Sequence, residues 1–306
     1  MKNELKILVG SYPPESGFKK RMRLHQGWWR AFVLAEEEGN HPIRKENTIC
    51  NTIQNGQANQ KNFLSANISE AVQQTIKERQ EVQSGLFEED RLFNNLLSSQ
   101  PLCFNFFGEL KIDTGFALQI LRQFWPALTE VKRVIFEFAP TEKYTNDNSA
   151  FDVAFEVMIE DKAGLVGLEC KYTDTFSQKE YDKAAYRHIF DNSNENVFCA
   201  DYETFKSARF NQLFRNQLIA EGLVQNNHYH FAYTGLFCHP DDDSALQVGS
   251  EFQNMLKNGE RIFQVITYQD FIEQMQQLNL SWERRELSML LWARYCGTQL
   301  SQQVLE

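Results

Sequence analysis

Two segments decide how this chain is read: FDVAFEVMIE at 151–160 and LVGLECKYT at 165–173. Both alternate with period two and are rich in β-forming residues, and Asp161-Lys162-Ala163-Gly164 between them suits a turn. The pair therefore predicts a β-hairpin. In the first strand Phe151, Val153, Phe155, Val157 and Ile159 share one face, which leaves Asp152 on the other with Ala154, Glu156 and Met158. In the second, Val166, Leu168, Cys170 and Tyr172 form the apolar set, so Glu169 and Lys171 stand together on the opposite face. Cross-strand partners share a face, so aligning the apolar stripes needs partner numbers with an odd sum: Lys162 opposite Leu165, or Asp161 opposite Gly164. Either register puts Asp152 on the face of Glu169 and Lys171. The second also sets Glu156 opposite Glu169 and Asp152 beside Thr173.

Working outward, Phe116, Ile120, Leu121, Phe124 and Leu128 have helical spacing over 114–129, and VKRVIFEF (131–138) reads as a strand. After the hairpin come helical patterns at about 177–191 and 203–222, a strand at 229–237, a strand at 261–268, and helices near 269–278 and 282–300. The order α-β-β-β-α-α-β predicts a mixed α/β fold with a central sheet covered by helices. Upstream, Ile68, Val72 and Ile76, then Leu86, Leu92, Phe93, Leu96 and Leu97, predict two amphipathic helices parted near Gly85. NTICNTIQNGQANQKN (47–62), with 8 of 16 residues Asn or Gln, reads as a polar loop. The expected division is an N-terminal arm with helices over 1–100, packing on a core with C-terminal helices over 101–306 to make one compact unit.

Composition narrows the classes. The 306 residues hold 42% hydrophobic residues and 25 Phe against only 15 Gly and 7 Pro, enough for a sizeable core and unlike a disordered or collagenous chain. A net charge of -10 excludes the basic footprint of a nonspecific nucleic-acid binder, so any such contact is local. No run of about 18 apolar residues offers a membrane span, and the N-terminus fails as a secretory signal. The six cysteines are dispersed without a C-x-x-C, which favours reduced thiols and a cytoplasmic location. Neither G-x-G-x-x-G nor G-x-x-x-x-G-K-[ST] occurs, so no nucleotide cofactor is expected. G-x-S-x-G and H-E-x-x-H are missing too, leaving serine-hydrolase and zincin chemistry without anchors.

Two acidic side chains directed at one spot repel unless a proton or cation intervenes, and a hard oxygen set suits Mg²⁺. Such an ion polarises a phosphoryl group and acidifies water, while a nearby Lys orients that water and balances developing charge. Asp152, Glu169 and Lys171 thus point to phosphodiester hydrolysis. The plain alternative is a solvated strand face whose charges pair weakly. A two-carboxylate glycoside hydrolase is disfavoured, because Lys171 beside Glu169 lowers the pKa that an acid catalyst needs raised.

These residues resemble the PD-(D/E)xK nuclease superfamily, whose core runs α-β-β-β-α-β and whose motif is an Asp followed by Glu-x-Lys on the next strand. Asp152 and Glu169-Cys170-Lys171 match it. The chain also looks like an uncharacterised bacterial group of restriction-endonuclease-like proteins, through SSQPLCFNFFGEL (98–110), FEFAP (136–140), FDVAFEV (151–157), LECKYTDTF (168–176) and NQLFRNQLIA (211–220), over about residues 20 to 240. The resemblance implies a restriction-endonuclease-like fold with Asp152 and Glu169 as Mg²⁺ carboxylates (Mn²⁺ as substitute), the Cys170 carbonyl as a further ligand and Lys171 orienting water. Ala150 and Phe151 replace the Pro of the family name.

The resemblance also implies DNA as substrate and a homodimer as one route to cutting both strands. A non-cutting member that binds nucleic acid or a protein is the alternative. Glu137, in the preceding strand, offers a third carboxylate or else caps a strand end. Gln212, Arg215 and Asn216 fall within one helical turn: Gln212 for the water or Lys171, Arg215 for a phosphate, with Asn216 beside them, or simply a polar helix face. Lys19, Lys20, Arg21, Arg23 and Arg30 around Trp28 and Trp29 suit a phosphate backbone or a solvated amphipathic helix. His228, His230, Cys238 and His239 lack the ligand spacing of a zinc site.

Overall fold

In the computed structural model, which describes residues 2–10, 17–81 and 88–305, the hairpin is the centre of a five-stranded mixed sheet. Its strands are β1 (Glu130–Phe138), β2 (Phe151–Ile159), β3 (Lys162–Cys170), β4 (Phe231–Cys238) and β5 (Phe263–Thr267), in that spatial order. β1, β2 and β3 pair antiparallel, and β4 and β5 join parallel to β3 and to each other. Each parallel step needs a crossover. Helices Ala184–Val197, Tyr202–Lys206 and Asn211–Gln225 make the first, Asp243–Asn254 and Gly259–Ile262 the second.

The register differs from both sequence alternatives. Ile159 pairs with Lys162, so the turn is only Glu160-Asp161, with Glu160 left-handed at φ 55° as a two-residue hairpin turn requires. Gly164, expected in the turn, lies inside β3 instead. A Cβ there would meet the Phe231 ring of β4 at 2.2 Å, so this glycine serves a close approach between strands. The slip from the Asp161–Gly164 register is even, so Asp152 and Glu169 keep their common face, whereas Phe151, expected on the opposite face, packs with Ala154, Leu165 and Ile219 on the helix-covered one. The slip does change partners: Val153 pairs with Leu168, and Glu156 with Leu165 rather than Glu169.

Helix Asn211–Gln225 packs over β3 and β4 through Ile219, Ala220 and Leu223, against Ala154 and Leu165. Ala154 and Gly167 are cross-strand partners on that face, and a Cβ at Gly167 would stand 2.6 Å from the Phe151 ring. Beyond the helix, an aromatic cluster that includes Phe190, Phe198, Phe205, Phe214 and Phe252 forms a core. The expected helix at 177–191 begins only at Ala184, and the one at 203–222 is two helices. The segment before Ala184 is drawn out of a helix because Asn211 captures both peptide groups of Tyr181.

Two compact units result: one of 1–109 with 275–306, the other of 110–274. This division runs differently from one at residue 100, since helices Trp282–Tyr295 and Gln299–Leu305 fold with the N-terminal residues. That unit holds helices Gly17–Trp28 and Ala66–Glu81. The break expected near Gly85 lies outside the described residues, and the second helix expected there is a single π-helical turn, Asp90–Asn94. The polar 47–62 stretch is no solvated loop throughout: Asn51, Thr52 and Asn62 are buried, and Asn62 accepts two bonds from the buried Arg294. Among the described residues no helix is long and apolar enough to cross a membrane.

Candidate active site

Asp152 is the second residue of β2 and Glu169 the last but one of β3, and the ladder that ends at Val153–Leu168 brings them level. Glu137 completes the rank on β1, bracketed by the pairs Phe136–Val153 and Phe138–Phe151, and is left-handed at φ 52°. Three carboxylates thus occupy adjacent strands at one height. Lys171 follows the end of β3, its ammonium 3.2 Å from Glu169 Oε1, and both side chains are nearly closed to solvent, at 8% and 7% exposure. A buried pair of this kind needs further hydrogen bonds to offset its desolvation.

Helix Asn211–Gln225 supplies them from two positions four residues apart, which face the same way. Gln212 Nε2 donates to Glu169 Oε1 at 2.5 Å while its Oε1 accepts from Lys171 Nζ at 2.8 Å. One amide therefore bridges acid and amine. Asn216 Nδ2 donates to Glu169 Oε2 at 2.9 Å, so both carboxylate oxygens are held by the helix. The Phe176 ring lies 5.0 Å from Lys171 Nζ and offers it a surface that tolerates positive charge.

Asp152 is held differently. Its Oδ2 accepts from the Cys170 amide at 2.6 Å. Burial raises its carboxyl well above the ordinary value, and the charges of Glu169 and then Glu137 push it further, against the Cys170 amide and Lys171. The rank of acids carries more negative charge than one lysine neutralises. Among the described residues no three or more His, Cys, Asp and Glu side chains are grouped to hold a metal ion. Two carboxylates remain, and Mg²⁺ is commonly bound by one or two carboxylates, with water and phosphate completing its shell.

The remaining sequence candidates lie elsewhere or act differently. Glu156 turns to Arg133 at 2.9 Å and to the Tyr229 hydroxyl at 2.9 Å, not to Glu169. Arg215 does not project as a free phosphate fork. Its guanidinium stacks 4.6 Å from the Tyr181 ring and pairs with Asp147 at 3.7 Å. Asn216, grouped with the nucleic-acid contacts, is 5% exposed and spent on Glu169. Lys19 and Lys20 are exposed on Gly17–Trp28, Arg21 is half-buried, and Arg23 bonds Asn51. Arg30 is buried and donates to the carbonyls of Cys50, Glu36 and Leu8, a structural role that its place in a basic run concealed. His228 bonds the Tyr144 hydroxyl at 2.5 Å and precedes β4.

A family model described as the PD-(D/E)XK nuclease superfamily matches residues 13–297. The chain belongs to the PD-(D/E)XK nuclease superfamily. Comparison with curated proteins and with solved structures returned no match. Members of this superfamily are generally nucleases that typically use divalent metals, and here the Asp of the motif lies on β2 while its Glu-x-Lys closes β3 and runs one residue past it. Sequence reasoning missed Asn216 as a holder of Glu169 and Phe176 as a wall for Lys171. Only the position of Asn216 four residues after Gln212 signalled the first, and nothing local signalled the second.

Proposed function

We propose that this protein hydrolyses phosphodiester bonds of DNA with water as nucleophile and Mg²⁺ as cofactor. The observation that carries the reading is the convergence of Asp152, Glu169 and Lys171 on one face of the hairpin, with Gln212 bridging the last two. Bound by Asp152, Glu169 and the Cys170 carbonyl, the ion would supply Lewis-acid polarisation of the phosphoryl group. Glu137 adds negative potential next to Asp152 and is the reserve carboxylate of the rank.

Lys171 donates to the attacking water and balances charge developing on the phosphate. Gln212 limits where its ammonium points. Asn216 keeps Glu169 from rotating. Exposed Lys19 and Lys20, with Arg21, are the phosphate contacts of the N-terminal unit in this reading, which needs only local positive charge in a chain of net charge -10. Six free thiols suit a cytoplasmic site of action.

The test is cleavage of plasmid and oligonucleotide DNA with Mg²⁺ or Mn²⁺ by the wild type and by Asp152→Ala, Glu169→Ala and Lys171→Ala. Each variant should stay folded and lose at least about a hundredfold in rate. Cleavage that survives all three removes these roles. A second reading, a non-cutting binder, is favoured by one observation: Glu169 already has protein donors on both oxygens. Calorimetry separates the two, since a vestigial site shows no Mg²⁺ or Mn²⁺ binding that depends on Asp152 and Glu169.

A further inference from the structure

Lys171 stands just beyond the last residue of β3, where the parallel ladder with β4 runs out. Gln212, Glu169 and Phe176 hold its head. The direction in which its side chain leaves the sheet depends instead on the two peptide groups that flank its Cα. The Lys171 N–H donates to the Phe237 carbonyl at 2.8 Å, and the Lys171 carbonyl accepts from the Tyr268 hydroxyl.

Tyr268 is fully buried, with its ring centroid 6.3 Å from Tyr172, 4.8 Å from Phe237 and 5.8 Å from His239. A phenylalanine would fill that aromatic setting equally well, and a buried hydroxyl is unfavourable there unless it is bonded. The hydroxyl makes a bond to the Lys171 carbonyl that a phenylalanine would lack. Tyr268 is itself fixed, because it opens helix Tyr268–Gln276 directly after β5. Thr267 Oγ1 donates to Asp270 Oδ2 at 2.7 Å and accepts from the Asp270 amide at 3.0 Å, closing that junction.

We propose that Tyr268 is a positioning residue: from the last strand–helix junction of the sheet, its hydroxyl locks the Lys171 peptide and so aims the ammonium at the site. The proposal rests on Lys171 being the water-orienting group. Small displacements of such a group are costly, since a misplacement of about 1 Å lowers a rate by roughly a hundredfold.

The experiment compares wild type, Tyr268→Phe and Tyr268→Leu with Phe271→Leu, a change at the ring 5.7 Å from Phe237 on the same helix. Two readouts are taken: kcat and KM for DNA cleavage with Mg²⁺, and the rate at which limiting acetic anhydride acetylates Lys171, followed by mass spectrometry. Y268F should lower kcat by about ten- to a hundredfold at unchanged KM and speed acetylation of Lys171 severalfold, and F271L should do neither. Y268L provides the same readouts should Y268F fold poorly. Unchanged kcat with unchanged acetylation overturns the proposal. If the wild type cuts no DNA, the proposed activity fails by itself, and acetylation alone then decides whether Tyr268 holds Lys171.

Discussion

Removing the Asn216 amide tests whether the helix holds the Glu169 carboxylate. Asn216 is 5% exposed and its Nδ2 lies 2.9 Å from Glu169 Oε2, whose side chain is 7% exposed. A hydrogen bond to a charged group contributes roughly 1.5–3 kcal/mol, and truncating a buried side chain adds a cavity cost. Asn216→Ala alone should therefore destabilise by about 2–4 kcal/mol. That number mixes two causes, so a double-mutant cycle with Glu169→Ala is needed. The cavity cost recurs whether or not the carboxylate is present, whereas the bond is lost only once, which predicts a coupling of about 1.5–3 kcal/mol. Urea unfolding of the four proteins at pH 7 in EDTA measures it. Additivity to within about 0.5 kcal/mol would mean that Asn216 does not hold Glu169 in solution, and the clamp described above would be wrong.

Three further outcomes are expected. Asp152→Asn should stabilise the metal-free protein at neutral pH. Because the folded carboxyl is raised above its ordinary 3.8, the wild type is relatively most stable below that pH and weakens as pH rises toward the folded value, so melting curves of the two should converge in acid and part above it. Arg133→Ala, which breaks an ion pair with 62% of the arginine side chain exposed, should cost no more than about 1 kcal/mol and leave cleavage unchanged, as DNA assays and thermal melts on that variant will show. His25 is buried and its pKa is lowered by that burial from 6.5 to about 4, so folding favours the neutral ring; stability should fall by up to about 3 kcal/mol between pH 6.5 and 4, and a His25→Gln variant should flatten that part of the pH–stability curve.

Much of the fold was legible because its signals are local. Strand alternation across 151–173 depends on neighbours a few residues apart, and period two put Asp152, Glu169 and Lys171 on one face in either expected register, but of the helix expected over 114–129 only Thr114–Leu121 forms, so Phe124 and Leu128 lie beyond its end. Where the signal was shared between two causes, the reading went astray. Gly164 looked like a turn glycine, and only the Phe231 ring of a strand far along the chain reveals why it is there. Arg30 looked like part of a phosphate-facing run, yet three carbonyls from separate segments enclose it.

The sequence by itself determined which residue types meet on one face of the hairpin, since that follows from the pleat of each strand alone. Only the tertiary structure decided that Asp152 stands level with Glu169 and Glu137, because relative height depends on where the turn closes and how β1 docks. It alone brought Gln212 and Asn216 onto Glu169 across 43 and 47 residues, and Tyr268 onto Lys171 across 97. Such bonds form where packed helices and strands cross, and no periodicity within either segment encodes the place of crossing.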